Sequence, residues 1–305
     1  MKRCLTLLLA ASGLLVADHL RLPAGEKGEP NTLIVTDANG KEHKLKTWKF
    51  TAGTRHLPWL AADGKDKNAG PEMLEFSEGK GAPLKKRVLT YVPVSSIRSL
   101  EYDAKKNAVT LRVARNAKAD DDEELHGITG YVSVNQLTIE ATADLGELGT
   151  AAVKFQGGIE RGIKSLRFTA PTPMEKPPAG RVATIKQPSK TQPAFTVVDL
   201  QVLYLAGKGQ FQTSQTLYFK ETVKIDLAKI DKLAQNGAGG LDFDVTLGSG
   251  QQHTLELIER PKGADGKSVM QLEGLVGRFA GGYRVFPMNT IGELEFEVKK
   301  KLDTE

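Results

Sequence analysis

The densest mixture of cationic and aromatic side chains lies between residues 41 and 59. The members of this mixture that could contact a ligand are Lys46, Trp48, Lys49, Arg55 and Trp59. Lysine and arginine pair with anionic groups, and aromatic rings can stack on bases or on the faces of sugar rings. The second half of the chain is not basic in the same way. We therefore expect an acidic glycan or a cell-wall polymer, rather than nucleic acid, as the anionic partner.

A core position is the alternative interpretation of both tryptophans, because one buried tryptophan in each β-domain is ordinary. The exposure of Trp48 distinguishes the two interpretations. A ring exposed beside Lys46 and Lys49 would indicate a polymer-binding surface, whereas a buried ring would belong to the core.

No motif for catalysis or metal binding is recognisable. Four histidines have neither a second histidine nor a cysteine at metal-ligand spacing: His43, His56, His126 and His253. The acidic run at residues 120–124 lacks a glycine turn, so it predicts a solvated loop rather than a calcium site. The sequence Gly-Lys-Ser at 266–268 is not a phosphate loop, because Pro261 stands where the first glycine should be. We expect a non-enzyme without cofactor or metal; a hydrolase with an unrecognised site is the remaining alternative.

The first residues resemble a secretory signal peptide. Lys2 and Arg3 precede an apolar stretch of about 13 residues, which is too short for a membrane span of about 20. Cleavage after Ala17 would remove Cys4, the only cysteine, and leave a mature chain without disulfides or a membrane span. The sequence thus predicts export to the periplasm or beyond. A buried, uncleaved N-terminal helix is the alternative.

Alternating apolar and polar residues predict an all-β protein. Residues 109–113, 137–141 and 241–247 alternate without interruption, and turn-forming residues such as those at 37–40 and 248–250 separate such segments. The chain has 305 residues, 40% of them hydrophobic and 26% charged, which is enough for two globular domains.

A repeated phrase predicts that these two domains are related. Isoleucine, two polar or small residues, leucine, one charged residue and an aromatic residue recur at 97–102, 163–168 and 291–296, and residues 230–233 repeat the first half. Ile and Leu three apart fit a tight turn that enters a strand, so that all the apolar side chains are buried on one side. We expect two antiparallel β-sandwich or open-barrel domains that arose by internal duplication.

A second pair of similar segments, 125–130 and 272–277, carries two glycines at the same spacing. Glycines within a strand indicate a bulge or a close approach of another backbone. We expect each pair to bend a strand; a surface groove for an extended ligand is the alternative. Matching the two halves in order aligns residues 100–103 with 241–244, and residues 110–111 with 254–255.

The expected boundaries follow from these segments. The signal peptide takes residues 1–17, the first β domain 30–170, a Pro-rich linker 171–193 and the second β domain 194–300. The linker holds six of the fourteen prolines. Proline has no backbone N–H, so it cannot donate a hydrogen bond to a neighbouring strand, and it favours an extended chain.

In its signal segment and its Ile-x-x-Leu-x-aromatic phrase, the chain resembles the uncharacterised exported proteins of planctomycete-type bacteria, which carry Lys/Gly-rich β modules. The resemblance implies no activity. We expect an exported, non-catalytic binding or structural module of the cell envelope, whose partner is an envelope protein or an acidic wall polymer. The alternative is a carbohydrate-binding protein that uses Trp48 and Trp59.

Overall fold

The computed structural model describes residues 32–60, 70–78, 87–103, 108–115, 122–125, 137–144, 146–157, 162–176, 179–188, 194–206, 210–237, 240–262, 269–280 and 282–297. Most of these residues form β-strands, and no α-helix occurs among them. All the recorded strand pairs are antiparallel. The all-β fold is confirmed, as open sheets without a closed barrel over the described ranges. The predicted signal segment lies outside those ranges.

Eleven strands belong to the first half of the chain: β1 Leu33–Asp37, β2 Glu42–Ala52, β3 Thr54–Arg55, β4 Met73–Glu78, β5 Val88–Pro93, β6 Ile97–Asp103, β7 Ala108–Ala114, β8 Asp122–Leu125, β9 Thr138–Asp144, β10 Thr150–Gln156 and β11 Ile163–Phe168. Eleven more follow: β12 Val182–Lys186, β13 Phe195–Ala206, β14 Gln210–Ser214, β15 Thr216–Tyr218, β16 Lys224–Asp226, β17 Ile230–Gln235, β18 Asp242–Leu247, β19 Gln252–Glu256, β20 Gln271–Phe279, β21 Gly282–Phe286 and β22 Glu293–Phe296. Short 3-10 turns lie at Pro58–Leu60, Val94–Ser96, Gly146–Leu148, Leu227–Lys229 and Met288–Thr290.

The two large sheets share one strand order. The eight-stranded sheet runs β8-β7-β6-β11-β1-β2-β9-β10, and the twelve-stranded sheet contains the run β19-β18-β17-β22-β12-β13-β20-β21. Strands β3 to β5 and β14 to β16 can be treated as insertions after the second strand of each half. When the remaining eight strands of each half are numbered in chain order, they lie side by side in the same order in both sheets. This topology matches β6 with β17, so the sequence alignment of residues 100–103 with 241–244 is wrong by one strand. Duplication as the origin of the two halves stays a prediction.

The halves are not separate sheets joined by an extended linker. The β4–β5 hairpin belongs to the first half, but β5 pairs with β21, with Tyr91 opposite Tyr283. Strand β12 lies inside the predicted linker 171–193 and pairs with both β13 and β22, so the linker interpretation is wrong for Val182–Lys186. The apolar residues Ala183 and Ile185 lie between the prolines of this segment and are completely buried. Their burial on one face favours a strand.

The predicted acidic loop also needs correction. Asp122–Leu125 forms β8, which pairs with β7, so its backbone completes the edge of the eight-stranded sheet. Residues 120 and 121 lie outside the described ranges.

The repeated phrase places leucines opposite each other in the middle of each half. Leu100 of β6 pairs with Leu166 of β11, and Leu233 of β17 pairs with Leu294 of β22. All four side chains are almost completely buried. A register shift follows Ile97 in β6, so the isoleucine three residues before the leucine is buried as well, as the phrase predicts.

Three apolar clusters form the core, and the third and smallest bears on the candidate site. Its members are Leu57, Met73, Tyr91, Leu203, Val276 and Val285. Their neighbours on the same strands, such as Val202 and Leu275, belong to the second cluster. Successive residues of a strand face opposite sides, so the third cluster lies on the other face of the twelve-stranded sheet.

The glycine pair of β20 has the predicted bulge and close approach. The register between β13 and β20 shifts at Gly274, which has a φ of +147°, and a Cβ there would overlap the carbonyl oxygen of Phe286. A Cβ on Gly277 would lie 2.6 Å from Val197 Cγ2. The corresponding glycines Gly127 and Gly130 lie outside the described ranges.

We expect Leu294→Ala to lower the free energy of unfolding by about 2–5 kcal/mol, because it leaves a cavity at the centre of the second core. Urea denaturation of the purified protein measures this change. Leu148→Ala is the control, since Leu148 is 86% exposed and its truncation should change stability by no more than about 0.5 kcal/mol. Equal effects of the two substitutions would contradict the assigned core.

We expect Gly274→Ala to destabilise the protein by at least about 1 kcal/mol more than Gly250→Ala. Both glycines have positive φ, but a Cβ on Gly250 meets nothing within 4 Å, so the difference isolates the overlap with Phe286. The same denaturation assay applies. Similar costs at the two positions would show that the backbone of β21 does not confine β20.

Candidate functional site

The cations and rings predicted to form one patch do not lie together: Lys46, Trp48 and Lys49 belong to β2 of the eight-stranded sheet, whereas Arg55 and Trp59 lie at the twelve-stranded sheet. Trp48 is half-buried and meets Phe50 and Phe168 edge to face, with ring centroids 5.6 and 5.3 Å away. It packs against the first core cluster. Lys46 and Lys49 are exposed, and Lys49 Nζ lies 3.2 Å from a carboxylate oxygen of Glu140. Trp48 therefore packs with the core and does not share a surface with the two lysines.

The alternation of β2 is interrupted at Lys46, which explains this placement. The pairing with β9 shifts between Leu45 and Thr47, so Leu45 and Trp48, three residues apart, both face the core. Arg55 lies elsewhere, on β3, where its guanidinium forms an ion pair of 3.0 Å with Glu75.

Trp59 lies on the 3-10 turn Pro58–Leu60, over the third core cluster. The N–H of Leu60 donates to the carbonyl oxygen of Leu57 at 3.0 Å, and the side chain of Leu57 is completely buried. The indole ring meets Tyr91 and Phe211 edge to face at 5.9 and 5.8 Å. Buried anchors thus hold the tryptophan against the outer face of the twelve-stranded sheet.

A cavity of about 240 Å³ opens beside this tryptophan. Aromatic and polar side chains from the turn and from β13, β14, β20 and β21 line it: Trp59, Asp199, Gln201, Thr213, Arg278 and Tyr283. The cavity joins residues from both halves of the chain. Of the five residues predicted to bind a ligand, it contains only Trp59.

A bulge in β13 shapes one wall of the cavity. Val198 pairs with Arg278 and Gln201 pairs with Val276, so two residues of β13 lie opposite the single residue Gly277. One of these two, Asp199, has a φ of +52°, in the left-handed region that costs free energy for a residue other than glycine. The bulge leaves the Asp199 carboxylate exposed at the cavity.

Two hydrogen-bond donors of residues that line the cavity are themselves buried, away from the accessible surface, and have no partner among the described residues. They are the indole Nε1 of Trp59 and the Nε of Arg278. The Arg278 guanidinium carbon lies 5.7 Å from the centroid of the Tyr283 ring, within the range of a cation–π contact. A buried donor left unpaired costs about 1–3 kcal/mol. Because both atoms are buried away from the accessible surface, neither is a contact point for a molecule in the cavity.

Burial raises the pKa of the Tyr283 hydroxyl. Arg278 acts in the opposite direction and lowers this pKa, while the negative charges of Asp199 and Glu175 raise it further. The phenol therefore stays protonated at neutral pH and can donate a hydrogen bond in the cavity.

The described histidines have structural partners or lie on the surface. His43 Nε2 lies 3.0 Å from Asp37 Oδ2, and the His43 ring meets Phe155 edge to face at 5.0 Å. The hydrogen bond to His43 lowers the pKa of Asp37, and the backbone N–H of Lys41 lowers it further. His56 Nδ1 lies 3.0 Å from the carbonyl oxygen of Gly70. His126 and the Gly-Lys-Ser sequence at 266–268 lie outside the described ranges.

Across the described part of the chain, no group of three or more His, Cys, Asp or Glu residues is arranged to hold a metal ion. The same ranges contain no helix that is long and apolar enough to cross a bilayer.

Sequence reasoning missed five of the six aromatic and polar side chains that line the cavity. They come from four strands and share no local spacing: Asp199, Gln201, Thr213, Arg278 and Tyr283. The one sequence signal near them is the glycine pair of β20, because Gly277 lines the cavity and makes room for the bulge of β13.

Searches of protein-family models, of curated proteins and of solved structures find no match to this chain.

Proposed function

We propose that this protein is an exported, non-catalytic binding protein of the bacterial cell envelope, and that the cavity beside Trp59 holds a sugar ring of a glycan. The observation that supports this proposal is the meeting of aromatic rings with hydroxyl, amide and charged groups in one cavity. Aromatic surface beside oriented polar groups is a combination that binding sites for small molecules use.

The size of the cavity favours a single ring over a long polymer segment. The volume of about 240 Å³ lies below the roughly 300–1,000 Å³ that is usual for ligand pockets. Trp59 and Tyr283 offer apolar ring surface, and Gln201 and Thr213 offer groups that both donate and accept hydrogen bonds. A sugar ring presents C–H groups and hydroxyls in the same combination.

This proposal changes the role of the two tryptophans. Trp48 packs against the first core cluster, whereas Trp59 lines the cavity, so the carbohydrate-binding alternative is retained for Trp59 without Trp48. These are the only two tryptophans of the chain, which makes their fluorescence a selective probe.

We expect glycan fragments to change the emission of Trp59 in a saturable way. The experiment uses a Trp48→Phe variant, in which Trp59 is the only source of indole fluorescence, titrated with neutral and acidic monosaccharides and their oligomers. A Trp59→Phe variant, which retains Trp48, is the matched control and should not respond. A response of the same size in both variants, or none in the Trp48→Phe variant, would contradict a sugar site at Trp59.

The export part of the proposal is supported by the cationic start and the apolar stretch at residues 4–16. We expect mass spectrometry of the protein from its native host to find a mature N-terminus between Asp18 and Gly25, because a signal peptidase would remove the preceding residues. An intact Met1 on the folded protein would contradict export by this route.

A further inference from the structure

We infer that the ligand of the cavity carries one acidic group, and that Arg278 binds this group: the preferred sugar is a uronic acid. This inference rests on the proposed function and specifies the class of sugar.

The first observation is the position of the Arg278 guanidinium. Arg278 lines the cavity, and the recorded contact of its guanidinium is the one with the Tyr283 ring. No ion pair of Arg278 occurs within the described ranges, although other arginines of the protein have one: Arg181 lies 2.8 Å from Asp231, and Arg55 lies 3.0 Å from Glu75. A guanidinium that lines a cavity and lies against an aromatic ring can pair with an acidic group of a ligand.

The second observation is the chemistry of the donors at the cavity. The guanidinium presents N–H groups in a planar fork that fits the two oxygens of a carboxylate. The protonated hydroxyl of Tyr283 is an additional donor in the same cavity. An ionised oxygen accepts more strongly from the guanidinium and from this hydroxyl than a neutral hydroxyl does.

The third observation limits the charge of the ligand. The carboxylate of Asp199 is exposed at the cavity, and its negative charge acts on the Tyr283 hydroxyl together with that of Glu175. A ligand with several anionic groups would be repelled by these two carboxylates. A ring with one acid group can direct that group to Arg278 and place its hydroxyls near Asp199, which accepts hydrogen bonds from them.

The experiment compares acidic and neutral sugars that differ in one group. Isothermal titration calorimetry measures the Kd of D-galacturonate against D-galactose, and of D-glucuronate against D-glucose, with a sulfated galactose as a further arm. We expect the wild-type protein to bind the uronates at least tenfold more tightly than their neutral counterparts. We also expect this preference to weaken as the salt concentration rises.

Arg278→Gln should remove the preference, leaving uronate and neutral sugar with Kd values that agree within about twofold. Arg167→Gln is the matched control, since the Arg167 side chain is 57% exposed and contacts Glu42 away from the cavity; it should leave the preference unchanged. Arg278→Lys keeps the charge without the fork and should retain only part of the preference.

The outcomes separate this inference from the proposed function. Equal Kd values for uronate and neutral sugar in the wild-type protein would overturn the inference while leaving a sugar site intact, and this comparison requires no variant to fold. A preference for the sulfated sugar over the uronate, or an unchanged uronate preference in a folded Arg278→Gln protein, would also overturn it. If no sugar of either class binds, the proposed function is wrong, and the inference is wrong with it.

Discussion

The pairing of buried leucines between β6 and β11, and again between β17 and β22, is the contact on which the rest of the fold depends. In each half, the last strand lies between the first strand and a three-stranded meander. Strand β11 lies between β1 and the meander β6–β8, and β22 lies between β12 and the meander β17–β19. Leu166 lies opposite both Leu100 and Val35, so it joins these two parts, and Leu294 does the same with Leu233 and Ile185. In the described pairing, the meander is connected to the rest of its sheet only through this strand. Burial of each leucine contributes about 1.5–3 kcal/mol before conformational entropy is subtracted.

The candidate site depends on the one respect in which the halves differ, the insertion after the second strand. In the first half this insertion supplies β3 to β5 and the turn that carries Trp59, and its hairpin extends the twelve-stranded sheet beyond β21. Phe76 and Val92 of the hairpin pack into the first cluster, while Met73 and Tyr91 pack into the third. The hairpin thus connects the cores of both halves and brings Trp59 over strands that carry Arg278. The cavity cannot form from either half alone.

Local patterns were sufficient to predict the strands and the buried phrase, but not the site. The alternation of apolar and polar residues correctly predicts the all-β fold. The spacing from isoleucine to leucine correctly predicts that β6 begins with an irregularity. The same kind of irregularity in β2 directs Trp48 towards the core, because the shift at Lys46 reverses the faces of the residues that follow, until the pairing shifts again after Phe50. Val182–Lys186 is a strand, although its flanking prolines suggested a linker. Arg278 and Tyr283 meet Trp59 only through the sheet order, which no local spacing encodes.

The lining of the cavity, rather than backbone strain, distinguishes it from an ordinary packing defect. Left-handed residues other than glycine occur at Asp199 but also at Glu221, Thr222 and Ala280, so this conformation is not confined to the cavity. Arg284 on β21 lies 4.2 Å from the Phe279 ring and 5.0 Å from the Phe195 ring, where two rings surround the cation. Arg278 has one recorded ring contact, with Tyr283, and lines the cavity together with Asp199 and Gln201. Apolar side chains fill an ordinary packing defect, whereas a cavity lined by a guanidinium, a carboxylate and an amide offers hydrogen-bonding groups to a polar molecule.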